Sequence, residues 1–151
     1  MTVAIRPALA EDRSAWETLW DQYLAFYGTE RGQAVKDAAW RRIMDPGEPM
    51  FSLLAVNAGG EPVGLANFLL HAAFWEIGSV CYLNDLFVAP EARGHGAARK
   101  LLQAAHAAAV REGAVKFYWL TAEDNAAARG LYDQLAQKTP FVHYVMPVSA
   151  R

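Results

Sequence analysis

Apolar residues recur along the chain with two periods, and the switches between them divide it into segments. Val3 to Arg6 is short and β-branched, stopped by Pro7, and predicts a first strand. Glu11, Asp12 and Ser14 then supply the acidic and capping residues of a helix's first turn. Trp16, Leu19, Trp20, Tyr23, Leu24 and Tyr27 follow at helical spacing, and Gly28 ends the run. A second helix is predicted from Gln33 to Met44, with Val35, Ala39, Trp40 and Ile43 apolar and Asp45-Pro46-Gly47 as its stop.

The texture then changes. Met50 to Val56 and Pro62 to Leu70 read as two strands of a hairpin around the turn Asn57-Ala58-Gly59-Gly60. Cys81 to Val88 is another strand, ended by Ala89-Pro90. A long helix follows from about Gly94 to Arg111, with Ala97, Leu101, Leu102, Ala105, Ala108 and Ala109 on one face and Gly113 at its end. Val115 to Thr121 is an apolar strand, and strand–helix–strand here predicts parallel pairing across a crossover. A further helix is predicted from Asp124 or Asn125 to about Ala136, and a closing strand from Phe141 to Val148. No repeat, linker or low-complexity tract interrupts the pattern, so the expectation is one mixed α/β domain over residues 1–151.

Composition narrows what such a domain can do. The 151 residues suffice for a substantial core, and 54% hydrophobic content with 12% aromatics argues against disorder. A formal net charge of -2 gives no basic stripe of the kind phosphate-dominated binding requires, so nucleic acid is not expected as a partner. Cys81 is the only cysteine, which excludes an intrachain disulfide and suits a reducing compartment. No signal pattern opens the sequence and no apolar run approaches the roughly 20 residues of a membrane helix. The expectation is a soluble cytoplasmic protein without a membrane partner.

Chemistry is most concentrated after the Cys81–Val88 strand. The loop Ala89-Pro90-Glu91-Ala92 leads into Arg93-Gly94-His95-Gly96-Ala97-Ala98 and then the Ala/Leu helix. A helix N-terminus presents unpaired N–H groups and the positive end of the dipole, and small residues let the backbone approach a ligand closely. That combination is an anion site, most often for phosphate, and Arg93 would add a charge-assisted contact. Glycine content alone fits equally well a pair of glycines that merely shape a strand–helix connection. A Walker loop needs Gly-Lys-Ser/Thr, which is absent; a dinucleotide fingerprint needs a third Gly or Ala where Arg99 stands.

These residues resemble the GNAT superfamily of N-acetyltransferases. Its Gln/Arg-x-x-Gly-x-Gly/Ala motif after a strand is matched by Arg93, Gly96 and Ala98. Its Asn-x-x-Ala-x-x-Leu-Tyr stretch is similar to Asn125-Ala126-Ala127-Ala128-Arg129-Gly130-Leu131-Tyr132, and the opening Ile5-Arg6-Pro7-Ala8 with Glu11-Asp12 is typical of it. Within the superfamily, Tyr82-Leu83-Asn84-Asp85-Leu86-Phe87-Val88 and Tyr118-Trp119-Leu120-Thr121 look closest to the histone and polyamine (spermidine/spermine-type) acetyltransferases. The resemblance implies a central mixed, mostly antiparallel twisted sheet of six or seven strands flanked by about four helices. It implies acetyl-CoA as cosubstrate, a primary amine on a small molecule or peptide as acceptor, direct attack in a ternary complex, and no metal. Leu86, Phe87 and Val88 would pair with the pantetheine arm, and the stretch Arg93, Gly94, His95, Gly96, Ala97, Ala98 and Arg99 would wrap the pyrophosphate. Asn125 would hydrogen-bond the cofactor and Tyr132 would lie near its sulfur. Relatives commonly form dimers, and the C-terminal strand is the element expected to mediate one.

Acetyl transfer needs a neutral amine, a polarised thioester carbonyl and a proton for the departing thiolate. A phenol with pKa near 10 can share a proton with a thiolate near 8.5 at modest cost. Tyr132 stands seven residues after Asn125, almost two helical turns, so both project from one helix face and Tyr132 is the candidate general acid. The same tyrosine in isolation would read as a core aromatic. On the amine side, polyamine enzymes carry Glu-Asp where this chain has Asn84-Asp85, and Asn cannot accept a proton. Strand alternation puts Asn84 and Asp85 on opposite faces, so Asp85 serves as the base only if a bulge intervenes; Glu76, Glu123 and solvent are the other candidates. Asp21, Glu30 and Asp37 would attract a cationic amine or simply face water. Cys81 reads as packing rather than nucleophile, and His71, His95, His106 and His143 lack metal-ligand spacing. A CoA-binding sensor or scaffold with little catalysis is the alternative that the missing Glu leaves open.

Overall fold

The computed structural model describes residues 2–149, in which residues 2–120 and 121–149 form two compact units. The first holds a five-stranded sheet in the order β1-β2-β3-β4-β5, with β1 Val3–Pro7, β2 Met50–Asn57, β3 Pro62–His71, β4 Ser79–Val88 and β5 Ala114–Tyr118. The first three pairings are antiparallel and β4–β5 is parallel, the geometry expected of a helical crossover. That crossover is α3, Ala97–Arg111.

Each face of the sheet is covered because each strand carries apolar residues on both sides. On one face α3 buries Leu101, Leu102, Ala105 and Ala109. The close approach is made at Gly64 of β3. A Cβ there would stand 2.9 Å from the Phe87 carbonyl oxygen and 3.2 Å from Leu101 Cδ1, so only glycine fits. On the other face α1, Arg13–Phe26, and α2, Gln33–Met44, deliver Trp16, Leu19 and Trp40 onto Leu54, Val56, Leu65 and Phe87. The indole of Trp16 is 1% exposed and lies 5.3 Å from the Trp20 ring and 5.5 Å from that of Trp40.

The start of α1 is fixed by one buried carboxylate. Asp12 accepts two hydrogen bonds from the Arg6 guanidinium (2.6 and 3.0 Å) and one from the Leu9 N–H (2.7 Å). The Arg6 hydrogen bonds hold its pKa below the usual carboxylate value against the opposing effect of burial. Between the helices, Lys36 pairs with Asp21 and Arg13 with Asp37. Two of the carboxylates considered for amine attraction are therefore occupied in tying α1 to α2.

Sequence periodicity and structure agree on every element of this unit to within a few residues. β5 ends at Tyr118 rather than Thr121, and α3 starts at Ala97 rather than near Gly94 because Gly94 and Gly96 both take positive φ (82° and 79°).

In the second unit, α4 spans Ala126–Leu135 with Asn125 as its N-cap, its Oδ1 accepting from the Ala128 N–H at 3.4 Å. The closing strand predicted for Phe141–Val148 is not formed. A strand needs a ladder partner, and none pairs with this segment among the described residues. Pro140 and Pro147 withhold two N–H groups, and its six apolar side chains are 74% to 95% exposed. Among the described residues the sheet therefore has five strands, not six or seven; α1, α2 and α3 belong to its unit and α4 to the second.

Candidate active site

β4 and the turn after it carry both halves of the candidate site. Its register against β3 shifts between Asn67 and Phe68: Asn67 pairs with Asp85, but Phe68 pairs with Leu83, so Asn84 is an inserted residue. Such a bulge breaks the period-two alternation. The expected placement of Asn84 and Asp85 on opposite faces is thereby corrected: both side chains reach one cleft and are hydrogen-bonded to each other at 2.7 Å.

Asp85 is 8% exposed and richly satisfied. Its Oδ1 accepts from Asn84 Nδ2, and its Oδ2 accepts from Trp20 Nε1 at 3.2 Å and Asn67 Nδ2 at 3.0 Å. Asn67 Oδ1 in turn accepts from Trp16 Nε1 at 3.1 Å, which also donates to Ser52 Oγ at 3.1 Å. Among the described residues no buried side-chain nitrogen or oxygen lacks a partner. Beside this network, Tyr23 donates to the Asn84 carbonyl at 3.4 Å. Burial, reinforced by the charge of Asp85, raises its pKa far above the usual phenol value.

The network forms the polar end of a cleft with ≈ 470 Å³ of empty space opening to solvent. Its walls are otherwise apolar: Trp16, Trp20, Ile43, Met50, Phe51 and Phe68. Trp16 and Trp20 both pack in the core and wall the cleft. Sequence reading missed Asn67 and Ser52, although each is a lone polar residue inside an apolar strand and thus a signal of buried hydrogen bonding.

Toward its C-terminal end β4 becomes an open edge. Pairing with β5 stops at Tyr82 opposite Tyr118, and the six residues from Leu83 to Val88, including Leu86, Phe87 and Val88, have no β5 partner. The chain then makes a short 3₁₀ turn at Pro90–Ala92 and enters the glycine segment. Arg93 folds back, its Nε donating to the Val88 carbonyl at 2.9 Å and its guanidinium lying 5.5 Å from the Phe87 ring centroid. Gly96 is the left-handed N-cap of α3 and offers no side-chain cap, so the first-turn N–H groups of the helix point outward. Where side chains would project from Gly94 and Gly96 there is open space. Gly94, His95 and Gly96 are exposed, Ala97 is buried, and Ala98 and Arg99 are intermediate. An exposed, uncapped helix N-terminus preceded by glycines has the N–H donors and positive dipole end that favour an anion.

In the second unit the Asn125 amide also donates to Thr121 Oγ1 at 3.4 Å, and Tyr132 lies partly buried on α4. Cys81 is buried in β4, which pushes its thiol up to about 11 and leaves it a packing residue.

Comparison with known proteins now decides the family. Residues 13–136 match the model of the acetyltransferase (GNAT) family. The D-amino-acid N-acetyltransferase HPA3 of Saccharomyces cerevisiae is 32% identical over 143 residues, covering 94% of this chain and 89% of its own. The chain belongs to the GNAT acetyltransferase family.

A second relative, the uncharacterized N-acetyltransferase YhfO of Bacillus subtilis, is 32% identical over 149 residues, covering 97% of this chain and 99% of its own. Among solved structures, AAC(6')-Iy in complex with the bisubstrate analog CoA-S-monomethyl-acetylneamine superposes with a TM-score of 0.84 at 18% identity, covering 99% and 100% of the two chains. At that identity the likeness is one of fold. As a GNAT enzyme the chain transfers an acetyl group to an amine. The glycine turn, the parting of β4 from β5 and the bulge at Asn84 all lie along one strand and the turn that follows it. No helix among the described residues is long and apolar enough to cross a membrane. No group of three or more His, Cys, Asp or Glu among them is placed to hold a metal.

Proposed function

We propose that this enzyme acetylates a small primary amine carrying an apolar side chain, such as an amino acid or its decarboxylated analogue, with acetyl-CoA as donor. The observation that carries the reading is the cleft: an apolar cavity ends on Asn84 and Asp85 where β4 parts from β5. A polyamine, the acceptor of the subgroup that the β4 sequence resembles, needs several negative partners along its length. Only one carboxylate, Asp85, lines this cleft, and it is already shared among three N–H donors. An apolar side chain gains about 25 cal/mol per Å² buried on such walls, while the amine end meets the polar group.

Acetyl-CoA supplies an activated acyl thioester. Its pyrophosphate fits the turn at Gly94 and Gly96, with the N–H groups of Ala97, Ala98 and Arg99 facing it and Arg93 and His95 beside it. The unpaired edge of Leu86, Phe87 and Val88 offers strand-like hydrogen bonds to the pantetheine amides. Asn125 contributes the second N–H of its amide, beyond the one given to Thr121. Tyr132 donates its hydroxyl proton to the departing sulfur. Asp85 contributes by fixing Asn84 and Trp20 and by its negative charge toward the incoming ammonium. The reading takes residues 1–151 as one acetyltransferase domain, which the family match over residues 13–136 supports. The reading extends to a cytoplasmic homodimer joined through the exposed apolar segment 141–148, which sedimentation of the full chain tests.

The test is thiol release from acetyl-CoA with D- and L-phenylalanine, D- and L-leucine, phenethylamine, spermidine and an aminoglycoside. Phenyl- and leucyl-bearing acceptors should exceed spermidine at least 10-fold in kcat/KM, the scale of one or two lost apolar contacts. Preference for spermidine would assign the cleft to polyamines instead. Acetyl-CoA binding without thiol release on any amine would make the chain a CoA-binding module.

A further inference from the structure

The hydrogen bonds at the polar end of the cleft fix the sign of the charge found there. Trp16 Nε1 and Trp20 Nε1 are indole nitrogens, which only donate. Trp16 donates to Asn67 Oδ1 at 3.1 Å, so the Asn67 amide is oriented with its amino group toward Asp85, 3.0 Å from Oδ2. Trp20 donates to the same carboxylate oxygen at 3.2 Å, and Asn84 Nδ2 donates to Oδ1 at 2.7 Å. Asp85 therefore takes part only as an acceptor, the pattern of an ionised carboxylate.

All three donors are neutral. They replace the water that burial removes from the carboxylate, but they cancel none of its charge. The ion pairs of the fold lie elsewhere: Arg6 with Asp12, Arg13 with Glu17 and Asp37, Lys36 with Asp21. Among the described residues Asp85 has no cationic partner. The cleft around it is lined by apolar side chains together with Asn67 and Asn84, so Asp85 is its one charged group. Arg41 and Arg42, which precede the lining residue Ile43 in α2, are exposed and do not line it.

We propose that Asp85 is a charge filter, so that the acceptor is an amine with an apolar body and no carboxylate next to its nitrogen. The inference rests on the acceptor placement proposed above, and it selects the decarboxylated analogue over the amino acid. An ammonium reaching the polar end meets an opposite charge between apolar walls, where the attraction is much stronger than in water. In an α-amino acid the carboxyl carbon is two bonds from the nitrogen, about 2.5 Å. An amine placed at this end therefore carries its carboxylate up to Asp85, with no cation in the wall to separate the two charges. Neither enantiomer avoids this, because inversion at the α-carbon leaves the carboxylate on the same atom. An amine, amide or ester that lacks the negative charge keeps the apolar contacts and loses the repulsion.

The test compares phenethylamine, phenylalaninamide and D- and L-phenylalanine with the full chain and acetyl-CoA, each rate referred to the neutral fraction of its amine. Phenylalaninamide matches phenylalanine in bulk but carries no negative charge. Both carboxylate-free amines should exceed both phenylalanines by about 30-fold or more in kcat/KM, the scale of juxtaposed like charges. Asp85→Asn separates charge from shape. Its amide oxygen still accepts from Trp20 and Asn67, and the exposed Asn84 amide turns to accept from the new amino group. However slow that variant is, its ratio of phenylalaninamide to phenylalanine should fall close to unity. Binding is read in parallel, with CoA present, from intrinsic fluorescence to which Trp16 and Trp20 contribute. The wild type should exclude 3-phenylpropionate and Asp85→Asn should admit it. Wild-type turnover of phenylalanine equal to that of its amide, or a preference unchanged in Asp85→Asn, overturns the filter and leaves the acceptor reading intact. A wild type that acetylates none of the four, or prefers spermidine, removes the acceptor reading and the filter with it.

Discussion

Two stretches of β4 and its C-terminal turn are built by opposite means. At its C-terminal end the strand leads into a turn made of backbone: two glycines at positive φ, open space around them, and a helix end with no side-chain cap. A few residues earlier, at the bulge, the site is made of side chains: Ser52, Trp16, Asn67, Asp85, Trp20 and Asn84 form one satisfied network from β2, β3, β4 and α1. In the donor role proposed for it, the first would depend on few particular side chains. The second is a jointed frame in which each polar atom depends on the next. A backbone cradle suits a donor shared by a whole family, because any chain with the same turn makes it. A side-chain frame suits the acceptor, because changing one member reshapes the cleft.

The two should break differently. Removing the acceptor atoms of the frame has the largest effect. Asp85→Ala leaves Trp20 Nε1 and Asn67 Nδ2 without their partner while Asn84 turns to water. It should cost about 2–4 kcal/mol of stability in a urea titration, together with most of the turnover. A variant as stable as the wild type would show that the network is not coupled. At the turn the effect should fall on one parameter. Gly96→Glu places a side chain and a negative charge where a phosphate would sit, and adds roughly 1–2 kcal/mol of left-handed backbone strain. The KM for acetyl-CoA should rise about 10-fold or more with kcat at saturation nearly kept; an unchanged KM would remove the donor from this turn.

The smallest effect should lie away from both regions. Arg6 holds the Asp12 carboxyl below its ordinary pKa, so the ionised form is the one favoured by folding. Its contribution is fully present above about pH 4, the unfolded value, and is lost as pH falls through the folded one. Asp12→Asn should therefore lower the melting temperature by a few degrees at neutral pH, with the difference closing in acid and the acceptor kinetics unchanged. A difference independent of pH would mean that the pair contributes shape rather than charge.

The legibility of these regions in the sequence differs for the same reason that their construction does. Arg93, Gly96 and Ala98 lie within six residues, and strand, turn and helix start are local events, so spacing marked the turn, while its reading as an anion cradle rested on the resemblance. Helix α2 could be placed from Gln33 to Met44 because its apolar spacing and Asp45-Pro46-Gly47 stop are likewise local. Asp85 was read only conditionally, because period-two alternation fails at a bulge and nothing in Leu83-Asn84-Asp85 marks the inserted residue. The segment Phe141–Val148 misled for the complementary reason. Its apolar run satisfies a strand's local requirements, but a strand also needs a partner.

What the sequence determined by itself was therefore the order of elements, the parallel crossover through α3, the glycine turn and the family to which its two motifs belong. Tertiary structure alone decided that Asn84 is the bulged residue, that Asp85 turns into a cleft of tryptophans, and that Tyr118 reaches His71 across β4. Register and cross-strand contact join residues far apart in the chain, and no local pattern encodes which partner the fold will bring.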